Sequence, residues 1–257
     1  MTETNEADQP AILTETRGRV LVITLNRPAA MNAINGDLSN GLWDAIQKLN
    51  QDPGLTAGVL TGNGRGFCAG MDLKAFSRGE NIGPMIKFIR SGAEKPLICA
   101  IEGFALAGGL ELALTCDLLV ASRGAKLGIP EVGVGLLAAG GGLFRLPSRV
   151  GYGTAMEMAI TGDPITAEVA AEHGLVARLT EPGEALDTAL ALAERIARNA
   201  PLAVAASKQL IRATQGATEE ELWAIQGPLR DKVFASDDAK EGPRAFAEKR
   251  SPEWSGA

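Results

Sequence analysis

Glu111 stands alone as a charge in Gly108-Gly109-Leu110-Glu111-Leu112-Ala113-Leu114-Thr115-Cys116, a run that stays apolar until Asp117. An unpaired carboxylate in such a helix either costs several kcal/mol to bury or takes up a proton more readily, so this residue in this setting points to proton transfer. The glycines ahead of it leave backbone N–H groups exposed at the positive end of the helix, which suits a developing oxyanion. A second carboxylate, Glu131, sits in Leu127-Gly128-Ile129-Pro130-Glu131-Val132, ahead of the glycine-rich residues 133–142. Two glutamates in apolar settings can be driven to different pKa values, as one acid and one base require.

A second glycine-rich stretch, residues 62–72, follows a run that reads as a strand; its four glycines free the backbone to approach a ligand. It contains Gly64-x-Gly66-x-x-Ala69, formally a dinucleotide fingerprint, although no clear βαβ unit surrounds it, and a plain tight loop is the alternative. His173 is the only histidine, which removes multi-histidine metal sites; it reads as a helix end before Gly174. No GxSxG or HExxH string occurs. Cys68, Cys99 and Cys116 are odd in number and lie in apolar surroundings, as inert core thiols of a reducing compartment would. Trp43, Trp223 and Trp254 read as packing.

The 257 residues carry 25 basic and 31 acidic side chains, a formal charge of −6 with no long block of one sign. That balance argues against a nucleic-acid partner. A chain of this length buries roughly three quarters of its unfolded surface and needs no disulfide or metal to hold it. The first ten residues are polar, without the apolar core of a secretory signal, and read as a tail; cytoplasm is the expected location. Residues 96–121 are the most apolar, yet Glu102, Glu111 and Asp117 interrupt them, so they read as buried core and not as a membrane span.

The elements that must position these residues alternate. Residues 12–16 and 20–25 form a β-rich pair around Arg17-Gly18-Arg19; Leu38, Leu42, Ile46 and Leu49 recur at helical spacing until Pro53-Gly54; strands are expected at 57–61, 97–101, 118–121 and 176–179. The pattern is α/β. After about residue 184 only helical stripes remain, through Leu190, then after Pro201, then through Leu222 and Val233.

The strings GRGFCAGMDLK (64–74), GFALAGGLELALTCD (103–117) and GIPEVGVGLLAAGGGLFRLP (128–147), with NRPAAMNA at 26–33 and TGDPITAE at 161–168, resemble the enoyl-CoA hydratase/isomerase, or crotonase, superfamily over roughly residues 12–250. The resemblance implies a spiral of ββα units over residues 1–198 carrying the active site, and a helical oligomerisation region over 199–257 that builds a homotrimer or dimer of trimers. It implies acyl-CoA substrates, no metal and no separate cofactor. The backbone N–H groups of Met71 and Gly108 would hold the thioester oxygen, and Glu111 and Glu131 would be the catalytic carboxylates. Having both favours hydration of a trans-2-enoyl-CoA. A Δ3,Δ2-enoyl-CoA isomerase and a non-catalytic CoA-binding protein of the same fold are the alternatives. Arg27, Ala30, Ala69, Asp72, Leu73 and Lys74 would contact CoA, and Phe234 and Lys249 would close the CoA site of a neighbouring subunit. Where the family often has PGAGGTQRL, this chain has Ala138-Ala139-Gly140-Gly141-Gly142-Leu143-Phe144-Arg145-Leu146, which bears on the acyl pocket. Its walls are expected from Phe76, Ile82, Met85 and Phe144.

Overall fold

The structure is a computed structural model that describes residues 9–257; most of the polar N-terminal segment, residues 1–8, lies outside the described residues. The expected hairpin forms, β1 (Ile12–Arg17) pairing antiparallel with β2 (Val20–Leu25). Helix α1 (Gly36–Gln51) begins where the Asn35 side chain accepts from the Leu38 N–H and ends before Pro53, with its leucine stripe buried. Strand β3 (Ala57–Gly62) then pairs parallel with β2, and two short helices, α2 (Leu73–Ser77) and α3 (Gly83–Ser91), lead to β4 (Leu97–Ile101) beside β3.

Strands β4 and β6 of the main sheet are each followed by a short strand that belongs to a second sheet. Strand β5 (Phe104–Leu106) leads to α4 (Gly108–Thr115), and β6 (Leu118–Ser122) is followed by β7 (Lys126–Gly128) and a 3-10 turn at Pro130–Val134. Helices α5 (Gly142–Arg145), α6 (Pro147–Val150) and α7 (Tyr152–Thr161), strand β8 (Ile165–Thr166), helix α8 (Ala167–Glu172) and strand β9 (Arg178–Thr180) complete this part. The result is a six-stranded sheet ordered β1-β2-β3-β4-β6-β9, and a three-stranded sheet ordered β5-β7-β8. The last strand starts later than residue 176, because the Val176 N–H still bonds to Ala170 O in α8 and pairing with β6 begins only at the Ala177 N–H, which reaches Leu119 O.

The central strands β2, β3, β4 and β6 are buried on both faces, so they are largely apolar but differ in side-chain size by face. One face carries Leu21, Ile23, Leu60, Cys99, Ile101 and Leu119 toward α1 and α4. The other carries Val20, Val22, Ala57, Val59, Ile98, Ala100 and Val120 against Ala185, Ala189, Leu190 and Ala193 of α9 (Ala185–Ala197). The alanine stripe lets α9 lie close across β2, β3, β4, β6 and β9. Three further helices follow, α10 (Pro201–Ala213), α11 (Glu219–Ala235) and α12 (Asp237–Ala247); α10 and α11 bury no residue fully. Trp223, expected to pack, is exposed there, as are Ile211, Phe234 and Phe246. Trp43 packs on the core, and the Trp254 indole N–H donates to Arg198 O at 2.7 Å. Among the described residues no helix is long and apolar enough to cross a membrane.

The alanine face sets a test. Ala189→Leu inserts three heavy atoms between α9 and the sheet and should destabilise the chain by about 1–3 kcal/mol, measured by urea unfolding. An unchanged midpoint would mean that α9 does not pack as described.

Candidate active site

Two loops on the same side of the spiral are stitched to each other by backbone bonds. The Phe67 N–H reaches Phe104 O at 2.9 Å, the Leu106 N–H reaches Cys68 O at 2.9 Å, and Ile34 and Asp72 bracket Met71 through Ile34 N–H to Gly70 O (2.8 Å) and Asp72 N–H to Ile34 O (3.0 Å). Asn32, fully buried, fixes the far end: its amide donates to Asn63 O and Gly66 O at 2.8 and 3.0 Å and its carbonyl accepts from the Arg27 N–H. The Gly64–x–Gly66–x–x–Ala69 string therefore runs into an extended bridge and not into a helix, since α2 starts only at Leu73. The dinucleotide reading fails on that context.

Bracketed in this way, the Met71 N–H faces away from Ile34. Among the described residues neither it nor the Gly108 N–H has an acceptor within the chain. The two groups are neighbours: a Cβ placed on Gly108 would lie 3.8 Å from the Met71 nitrogen. Gly70, at φ +100°, makes this approach possible, because a side chain there would meet Ala107 Cβ at 2.6 Å. Gly108 is also the first residue of α4, so its N–H lies at the positive end of that helix.

One turn along, Glu111 is 4 % exposed. Its Oε1 accepts from the Gly142 N–H at 2.9 Å, and Gly140 packs so tightly that an added Cβ would stand 2.5 Å from Oε2. Burial pushes the Glu111 carboxyl above its ordinary value; the Gly142 and Gly140 N–H groups and the Arg145 charge act against that rise. Arg145 itself donates to Thr115 Oγ1 at 3.0 Å and Ile89 O at 2.6 Å, and Thr115 Oγ1 donates to Glu111 O at 2.9 Å. Glu131, in the 3-10 turn, is half-buried, with Oε2 shielded from solvent and without a hydrogen-bond partner. Burial raises its carboxyl, its own backbone opposes the rise, and the nearby Glu111 charge adds to it. The two carboxyls are close enough for the charge of Glu111 to act on Glu131.

Glu131 opens onto an apolar cavity of about 370 Å³ walled by Leu137, Leu143, Leu146, Tyr152 and Met156 among others. The residues expected to wall the acyl pocket do not line this cavity. Phe76 and Phe144 are 60 % and 72 % exposed, Met85 is buried in the core, and Ile82 packs on its edge. Phe144 turns outward beside the Arg145 guanidinium, 5.7 Å from its ring centre.

The group around Arg27 also assembles. Arg27 is not a solvated cation: it donates to Ala33 O and pairs with Asp72 at 3.1 Å, joining residues 45 apart in sequence. Asp72 caps α2 by accepting from the Lys74 and Ala75 N–H groups, and these bonds together with Arg27 lower its pKa. Ala30 and Ala69 lie on the same pair of loops, each through a backbone bond, while Leu73 and Lys74 are exposed. Phe234 and Lys249 are exposed on the C-terminal helical segment, with no hydrogen bond or ion pair to this group. His173 caps α8 and meets Thr154 at 3.3 Å on the surface. Cys68 is buried, donates to Asn32 O, and has its thiol pushed up to about 12 by burial, so it is inert.

The residues that position Glu111, namely Gly140, Gly142, Thr115 and Arg145, were not among the sequence candidates. The only signal for them is the glycine run itself. Together the parts can do two things: two unclaimed N–H groups can take up negative charge on an oxygen, and two desolvated carboxyls can hold and release protons.

Raised carboxyl pKa values carry a sign. The folded chain binds more protons than the unfolded one between the ordinary carboxylate value and the raised one, so this contribution to stability falls as pH rises through that window. Glu111→Gln and Glu131→Gln should each be more stable than the parent near pH 7, with the gain fading toward about pH 4, where unfolded carboxylates also protonate. Urea unfolding at both pH values checks this; a loss of stability independent of pH would contradict it.

Comparison with known proteins agrees with the architecture. Residues 15–257 match the family model described as enoyl-CoA hydratase/isomerase. The chain is 43 % identical over 254 residues to enoyl-CoA hydratase EchA19 of Mycobacterium tuberculosis, covering 95 % of this chain and 96 % of that one. It is 42 % identical over 255 residues to the carnitinyl-CoA dehydratase of Proteus mirabilis, covering 94 % and 97 %. A crystal structure of an enoyl-CoA hydratase from Mycobacterium tuberculosis H37Rv superposes with a TM-score of 0.93 at 53 % identity, over 97 % of this chain and 100 % of that one. On its fold, its loops and these relatives, the chain belongs to the enoyl-CoA hydratase/isomerase family.

Proposed function

We propose that this protein is a hydro-lyase that adds water across the 2,3 double bond of a trans-2-enoyl-CoA thioester to give a 3-hydroxyacyl-CoA. The observation that carries the reading is the pair of desolvated carboxyls, buried Glu111 and half-buried Glu131, together with two backbone N–H groups without acceptors. The thioester oxygen accepts from the N–H groups of Met71 and Gly108, which draws electron density from C3 and stabilises the enolate. Glu111 takes a proton from the water that attacks C3. Glu131 delivers a proton to C2. Water's oxygen ends on C3, and the proton gained by Glu111 replaces the one that Glu131 gave up once the two exchange through solvent. The thioester itself makes the α-position acidic, so the chemistry asks for no metal and no redox cofactor.

Arg27, Ala30, Ala69, Asp72, Leu73 and Lys74 hold the CoA moiety, with the Arg27–Asp72 pair fixing the loop geometry and Lys74 meeting CoA's negative charge. The acyl group extends toward the cavity below Glu131. The helical segment over residues 199–257 assembles three copies, or two sets of three, through Ile211, Trp223, Phe234 and Phe246, and Phe234 and Lys249 close a neighbour's CoA site.

Following loss of the conjugated enoyl absorbance of crotonyl-CoA and longer homologues tests the reading. Glu111→Gln and Glu131→Gln keep shape but remove a proton-transfer group, and each should lower kcat by about 10²–10⁴. The double variant should be little worse than the worse single, since the two act in one step. Full hydration by Glu111→Gln together with loss in Glu131→Gln would overturn the paired mechanism.

A further inference from the structure

A second cavity, of about 270 Å³, lies where the C-terminal end of α4 meets α5, α6 and α10. Four cations line it, Arg145, Arg149, Lys208 and Arg212, against one acid, Asp117, leaving an excess of three positive charges (4 − 1 = 3) in a chain of formal charge −6. The acid is already committed: Asp117 Oδ2 accepts from Lys208 Nζ at 2.7 Å and from the Leu97 N–H at 2.8 Å. Lys208 also reaches Lys95 O, and Arg145 is taken up by Thr115 and Ile89. Arg149 and Arg212 are different. Among the described residues neither guanidinium has a hydrogen-bond acceptor or an ion-pair partner.

Local groups offset only part of this charge, Glu111 acting on Arg145 and Asp117 on Arg149. The negative end of the α4 dipole faces the cavity, but it amounts to roughly half a charge. Burial disfavours the charged forms of Arg145 and Arg149, and Arg212 repels both. Arg212 is nevertheless held in place by close packing on the end of α3, where a side chain on Gly92 would collide with its guanidinium. Packing and not an acceptor fixes that fork.

We propose that this cavity binds a compact tetrahedral oxyanion, phosphate or sulfate, through the Arg149 and Arg212 forks, with Arg145 and Lys208 at its edge. A planar guanidinium matches two oxygens of such an anion and remains charged where a lysine would lose its proton. The inference is independent of the hydratase reading, because none of the four cations donates directly to either catalytic carboxyl.

Thermal unfolding of the whole chain in rising inorganic phosphate, against sodium chloride at matched ionic strength, tests it. A saturable rise in Tm of about 3 °C at ten times Kd, absent with chloride, is expected. Arg149→Gln and Arg212→Gln should each abolish the rise. Arg212→Gln, on the less buried side, keeps the test decisive should Arg149→Gln fail to fold. Equal responses to phosphate and chloride, or a phosphate response unchanged in Arg212→Gln, overturn the proposal. So does the absence of any phosphate effect.

Discussion

Burying a carboxylate along the inner face of an apolar helix sets up a conflict that most of this structure answers. Helix α4 is buried from Gly109 to Thr115, so Glu111 loses nearly all of its water. Two glycine N–H groups and the charge of Arg145 restore part of that loss, and the remainder stays as a raised proton affinity. Glu131 carries the same tension with less help, since one of its oxygens has no partner. The chain thus holds two carboxyls whose ionised forms are disfavoured, which suits them to holding and releasing protons.

That arrangement makes demands on elements far from it. The N–H of Met71 is free because Ile34 claims the bonds on either side of it, and the loop stays in register because Asn32 and the Arg27–Asp72 pair hold its ends. Gly108 comes beside it only because β5 delivers α4 at the right height, and β5 is positioned by β7 in the small sheet. The central strands of the main sheet are buried on both faces, by α1 and α4 on one and by the alanine stripe of α9 on the other, which makes them a rigid base for two loops that must approach within van der Waals contact.

Much of this could be read from residue types. The α1 stripe is regular and ends at a Pro-Gly pair; β2, β3, β4 and β6 are apolar runs of five or six residues; Glu111 is conspicuous as a lone charge. Strands β5, β7 and β8 are two or three residues long, too short for any alternation to register. The donors to Glu111 come from 29 and 31 residues downstream, as 140 − 111 and 142 − 111, a pairing that only the fold creates. Phe76 and Phe144, expected among the acyl-pocket walls, are exposed, and residue type does not say which face of a short helix turns inward. The Arg27–Asp72 pair joins residues 45 apart in sequence, which no local pattern announces.

The central claim is that desolvation holds both carboxyls above the ordinary carboxylate range and couples them. Titration of the chain with ¹³C-labelled glutamate side chains, read by NMR and assigned with Glu111→Gln and Glu131→Gln, measures this directly. Two carboxyl signals should titrate above the rest, and that of Glu131 should move down when Glu111 is replaced by Gln, because the repulsion between them is gone. Titration of both in the range of exposed glutamates, with no change in Glu131 upon that replacement, would contradict the account.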